Sequence, residues 1–172
     1  MKNLILLSFF GLTLFSSQAK ANETDGLKWY TNLDSVVAIS NETQKPIFGF
    51  FTGSDWCGWC IKLQKNVFAK KAFIDWANQN VVLLELDFPR TVVQPEELKI
   101  QNRNLQQAFG VQGYPTVWIF TGTKDATTAN ISLTAWGKLG YPTGTDVVVG
   151  QEEVKFLADA AAVMAKAPAK AN

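Results

Sequence analysis

The chain has 172 residues, a formal net charge of +1, 47% hydrophobic and 12% aromatic residues, two cysteines and no histidine. Without an imidazole, the Ser-His-Asp triad, the Cys-His protease pair and histidine metal ligation are excluded, and two cysteines fall short of a four-ligand structural zinc site. The length suits one soluble domain with a sizeable core, and the cysteines are too few for a disulfide-stapled scaffold.

Lys2, the apolar stretch Leu4 to Phe15 and the small residues of Ala19-Lys20-Ala21 predict a cleavable export signal over residues 1–21, leaving 22–172 as a single domain with its core at about 28–166. The apolar run is shorter than the ~20 residues that span a bilayer, so no stable membrane anchor is expected after cleavage. Cleavage removes Lys2 and Lys20 and no acid, leaving 14 basic and 15 acidic side chains. That balance makes no electrostatic case for nucleic acid or an anionic membrane. Export, to the periplasm or beyond, places both cysteines where disulfides persist.

After a polar start at Asn22 to Gly26, helical spacing of Leu33, Val36 and Val37 predicts a short helix over 32–43. Ile47-Phe48-Gly49-Phe50-Phe51 is a continuous apolar run of the kind shown by a strand buried on both faces. From Cys57 the period turns helical, with Cys60, Leu63, Val67 and Phe68 on one side, and Phe73 to Ala77 form a second helical piece. Val81 to Leu86 reads as another buried strand, Phe88 to Glu97 as an irregular surface insertion, and Leu98 to Phe109 as a helix capped by Gly110. Val117 to Phe120 is a third apolar strand, Ile131 to Trp136 an antiparallel edge strand, 137–150 a loop, and Glu152 to Lys166 an amphipathic last helix. This order describes a central mixed β-sheet flanked by helices on both faces, an α/β fold.

The chemistry sits in Trp56-Cys57-Gly58-Trp59-Cys60, where a buried strand meets a helix. Residues three apart share a helix side, which brings the thiols within bonding distance. Free N–H groups at the helix start stabilise a thiolate on Cys57, while Cys60 lies deeper. Cys57 would attack a substrate disulfide and Cys60 would resolve the mixed disulfide. Two other readings are a plain crosslink, worth only roughly 2 kcal/mol for so short a loop, and half of a shared metal site, whose remaining ligands the chain does not supply; no metal is expected.

With Gly113-Tyr114-Pro115-Thr116 preceding the third strand some fifty residues later, Trp-Cys-Gly-Trp-Cys resembles the thioredoxin superfamily over about residues 28–166, and its Phe-x-Gly-Ser-Asp-Trp-Cys-Gly-Trp-Cys form is similar to exported bacterial thioredoxin-like proteins. The resemblance implies a thioredoxin fold, a cis Pro115 facing the cysteines, and no cofactor beyond the Cys57–Cys60 dithiol. It also implies a substrate-binding rim of Trp56, Trp59, Tyr114 and Pro115 for cysteine-bearing proteins or peptides. Trp29, Trp76, Trp118 and Trp136 are better placed in the core.

Two departures stand out. The buried aspartate usual in the strand before the motif is absent from Phe48-Gly49-Phe50-Phe51, and Glu85 stands where a lysine is usual, making it a candidate proton acceptor for Cys60. Family oxidases and isomerases commonly place histidine between the cysteines. Gly58-Trp59 there, with Asp55 opposing the thiolate, favours a comparatively reducing couple recharged by a membrane thiol donor. The alternatives are a disulfide oxidase or isomerase, which Gly-Tyr-Pro-Thr also resembles, and a non-catalytic polypeptide-binding module.

Overall fold

The computed structural model describes residues 21–24, 26–128 and 130–168. The expected leader lies outside the described residues except for Ala21. Six strands form one mixed sheet in the spatial order β1-β2-β4-β3-β5-β6: β1 Ala21–Thr24, β2 Leu27–Tyr30, β3 Ile47–Thr52, β4 Val82–Asp87, β5 Thr116–Lys124 and β6 Ile131–Leu139. The central strand β3 runs parallel to β4 and antiparallel to β5. Every residue of β3 is buried, which is why its sequence shows an unbroken apolar run rather than alternation.

The alternation of the pleat sorts that run onto two faces. Phe48 and Phe50 point into one core with Trp29, Leu83, Phe68, Phe73 and Phe156, and this core also holds both cysteines. Ile47 and Phe51 point into the other, with Val36, Val37, Leu84, Leu86 and Phe120. Gly49 is required between them: a β-carbon there would lie 2.9 Å from the Phe120 ring.

The first face carries α2 Gly58–Leu63, its continuation as one π-helical turn over Gln64–Phe68, α3 Lys71–Asn80 and α5 Glu152–Met164. The second carries α1 Leu33–Thr43, capped by the Asn32 side chain on Ser35 N–H, and α4 Glu96–Ala108. The π turn, closed by Ala69 N–H to Gln64 C=O at 2.8 Å, ends the regular helix at Leu63 and leaves Phe68 stacked on Phe73 at 4.6 Å between centroids. Helical periodicity alone reads straight through this point.

Most expected elements are present within one to three residues. Three differ. Asn22 to Thr24, read as a polar start, lie in β1, which pairs antiparallel with β2 and adds an edge to the sheet. Residues 137–139, assigned to a loop, continue β6 past a bulge opposite Ile119/Phe120. Glu96 and Glu97 begin α4 rather than ending an insertion, since two acids in a first turn complement the helix dipole. Trp29 is buried, while Trp76, Trp118 and Trp136 pack half-buried against the two cores. Among the described residues no helix is long and apolar enough to cross a membrane.

Candidate functional site

The end of β3 and the start of α2 bring the cysteines together. Cys57 is the N-cap of α2, with Cα atoms of Cys57 and Cys60 5.2 Å apart and the sulfurs joined in a disulfide. The Cys60 N–H donates to Cys57 Sγ at 3.2 Å, so the sulfur faces an otherwise unpaired helix-start donor. Cys57 retains 6% exposure and Cys60 none. The pair is therefore asymmetric: one sulfur is at the surface edge and the other is sealed in the core with Phe48, Phe50 and Leu63.

On one side of the pair stands Trp56, 37% exposed. Its indole N–H donates to Phe88 C=O at 2.8 Å, its ring meets Tyr114 edge-on at 5.8 Å, and Phe88 stacks on Tyr114 at 5.2 Å. The indole lies so close to Gly53 that a β-carbon there would overlap it at 2.4 Å. Tyr114 is held in turn by Gln106 Nε2, which donates to its hydroxyl at 3.0 Å. Its phenol is pushed to higher pKa, first by burial and then by the charge of Asp87. The Tyr114–Pro115 peptide is cis.

On the other side stands Trp59, 54% exposed. Its ring packs on Tyr141 at 5.1 Å, and the Tyr141 hydroxyl accepts from Asn66 Nδ2 at 2.9 Å. Tyr141 was not singled out by the sequence, where Gly140-Tyr141-Pro142-Thr143-Gly144 reads as a turn. Phe88 was likewise missed, assigned to an insertion over the surface. No periodic signal marks either residue, and their partners lie far away along the chain.

The segment after β4 is tied to the motif by Asp55. Its carboxylate accepts from the Thr91 hydroxyl, from Arg90 N–H at 3.0 Å and from Thr91 N–H at 2.6 Å. These bonds, the Thr91 hydroxyl first, hold its pKa down to about 2. Asp87 similarly accepts from Ser54 N–H at 2.8 Å and Ser54 Oγ at 2.6 Å. The Arg90 guanidinium then lies 3.9 Å over the Trp56 ring, and Lys62 Nζ 4.5 Å over the Trp59 ring. The sequence had left the Cys57 thiolate leaning on the helix terminus alone. The fold adds two cations on the flanking indoles.

Glu85 lies in β4 in register with Phe50. Its side chain faces a cleft of about 560 Å³ behind α2, lined also by Trp29, Phe50, Ile61, Gln64 and Lys65. Burial, and secondarily the charge of Asp87, raise its pKa above the ordinary glutamate value. Cys60 is not on the wall of this cleft. Among the described residues no group of three or more His, Cys, Asp or Glu could hold a metal ion.

The sequence matches the family described as thioredoxin-like domain over residues 33–130. Disulfide bond reductase DsbH of Chlamydia pneumoniae is 35% identical over 115 residues, which is 67% of this chain and 68% of that protein. Thioredoxin-related protein DsbJ of the same organism is 28% identical over 97 residues, 56% of this chain and 28% of that protein. A solved structure of a DsbH oxidoreductase superposes with a TM-score of 0.65 at 27% identity, covering 92% of this chain and 95% of the other. The solution structure of a thioredoxin from Thermus thermophilus, 17% identical, shares the fold at a TM-score of 0.56 over 82% of this chain and 89% of its own.

Proposed function

This chain belongs to the thioredoxin-like domain family, and on that premise we propose that it is an exported thiol–disulfide oxidoreductase that reduces protein disulfides. The observation that carries the exchange chemistry is the asymmetry of the pair. Cys57 sits at a helix start beneath exposed aromatic walls, whereas Cys60 has no exposure at all. A thiolate on Cys57 attacks a substrate disulfide, forming a Cys57–substrate mixed disulfide and expelling the other substrate sulfur as a thiolate. Cys60 then attacks Cys57 Sγ, releases the second substrate thiol and leaves the Cys57–Cys60 disulfide. An extended substrate segment lies against Tyr114, Pro115 and the two tryptophans. A membrane-held thiol donor returns the pair to the dithiol.

The reductive direction is supported by the absence of histidine beside the cysteines and by the similarity to a protein named as a disulfide bond reductase. The two cations on Trp56 and Trp59 favour a second reading, an oxidase or isomerase, because positive charge near Cys57 stabilises its thiolate and makes the disulfide more oxidising. The reduction potential of Cys57–Cys60 separates them. A value well below about −200 mV supports the reductase, one near the roughly −120 mV of a strong periplasmic oxidant overturns it, and a disulfide inert to thiols leaves only a polypeptide-binding module.

Glu85 is the proposed proton acceptor for Cys60. It is the one carboxylate lining the cleft behind α2, and it stands beside Phe50 in the strand pairing. No direct hydrogen bond joins the two residues, so the proton would pass through water in the cleft. Export and a single domain over 22–172 rest on the leader sequence alone. Amino-terminal sequencing of the protein recovered from a bacterial periplasm tests both the cleavage after Ala21 and the compartment.

A further inference from the structure

The two tryptophans that flank the cysteines each carry a cation. Arg90 lies over Trp56 and Lys62 over Trp59, so the walls on either side of Cys57 are both capped by positive charge. Neither cation takes part in any ion pair among the described residues, whereas Lys71, Lys99, Arg103, Lys124 and Lys155 all do. A third cation without an ion pair, Lys138, lines the same cleft as Tyr114, Pro115 and Thr116.

The acids near these cations are committed elsewhere. Asp55 spends its carboxylate on the backbone of Arg90 and on Thr91, and Asp87 on Ser54. Glu85 faces the cleft behind α2. The chain as a whole is close to neutral, so the positive rim is a matter of arrangement and not of composition. An arginine stacked by its face on an indole keeps its N–H edge free to bind a carboxylate. The Asp55 tether makes this geometry persistent, because it fixes the backbone of the very residue that carries the guanidinium.

We propose that this rim selects polypeptide segments whose target cysteine is flanked by acidic side chains, with Arg90 and Lys62 receiving one carboxylate on each side and Lys138 a third further along. The proposal rests on the dithiol-exchange reading above and names its substrate class. Opposite charge at an open rim acts mainly on the encounter rate and is screened by salt.

The test uses three disulfide-bonded peptides identical except for acidic, neutral or basic residues on both sides of the cysteine, reduced by the pre-reduced protein. The expected order of kcat/KM is acidic, neutral, basic, with about a tenfold span between extremes at about 20 mM salt that contracts to about twofold at about 0.5 M. The double substitution Arg90→Gln with Lys62→Gln should collapse the acidic-to-basic ratio to about twofold or less, and Arg90→Lys should keep most of it. Each ratio is taken within one variant, so a general change in activity cancels. Equal rates for the three peptides with the wild-type protein overturn the proposal and leave the exchange chemistry standing, as does a ratio unaffected by the double substitution. Reduction of none of the peptides overturns the exchange reading itself.

Discussion

The surroundings of Cys57 and Cys60 are built from different materials. Around Cys57 the structure is polar and assembled by loops: Asp55 holds Arg90 and Thr91, Trp56 donates to Phe88, Gln106 to Tyr114, and Asn66 to Tyr141. Around Cys60 it is core: Phe48, Phe50, Leu63 and Val67 are all at most 1% exposed. The difference teaches how one short motif supports two steps. The attacking sulfur needs a face that admits a partner, and hydrogen-bonded loops can shape one without covering it. The resolving sulfur must meet only Cys57, and close packing excludes every other thiol.

The largest expected effects come from exchanging the cysteines themselves. Cys57→Ser should abolish disulfide reduction, while Cys60→Ser should accumulate a stable mixed disulfide with substrate, visible by non-reducing electrophoresis and mass spectrometry. Trapping by Cys60→Ser is the outcome that distinguishes an attacking from a resolving role; equal trapping by both variants would break the asymmetry. Next, Phe50→Ala should cost about 3–5 kcal/mol of stability in urea unfolding, because it opens a cavity beneath the pair against Trp29 and Phe68.

Glu85→Gln should slow the resolving step several-fold, about the lower end of what a positioned proton acceptor contributes, with formation of the mixed disulfide unchanged. The same substitution has a thermodynamic signature. The folded state raises the Glu85 pKa, so it binds a proton that the unfolded chain has already released. Stability from this group therefore falls as pH rises from the ordinary glutamate value through the raised one. Glu85→Gln should flatten that slope and stabilise the fold at neutral pH, measured by urea unfolding between about pH 4 and 8.

The smallest expected effect is on the Cys57 side. Asp55→Asn removes the charge that Thr91 and Arg90 hold, and should increase proteolytic cleavage within residues 88–95 by about twofold to fivefold while leaving global unfolding nearly unchanged. Because the Asp55 pKa is lowered to about 2, the tether is fully present above the ordinary aspartate range and is lost only as pH falls towards that value. Protection of this segment that persists in Asp55→Asn would show that the ring contacts of Phe88 hold it without the carboxylate.

Much of this molecule is legible in one dimension because burial leaves a periodic trace. The run from Ile47 to Phe51 announces a strand covered on both faces, and the spacing of Cys60, Leu63 and Val67 a helix lying on it. What left no trace is the rim. Trp56 reaches a carbonyl 32 residues on, and Asn66 a hydroxyl 75 residues on, through segments with neither strand nor helix periodicity. The π turn after Leu63 is equally silent, since one extra residue in a turn changes the hydrogen-bond ladder without disturbing which side chains are apolar.

The sequence by itself determined the family, the reactive pair and the class of chemistry, because these follow from residue types at close spacing: two thiols three apart at a strand-to-helix junction, and no imidazole anywhere in the chain. Only the tertiary structure decided that Asp55 is turned towards the Arg90 backbone, that Tyr141 backs Trp59, and that two cations stand over the flanking indoles. The reason is that these contacts join loops from different strand ends, and their geometry is set by how the sheet stacks its elements in space rather than by any local preference of the chain.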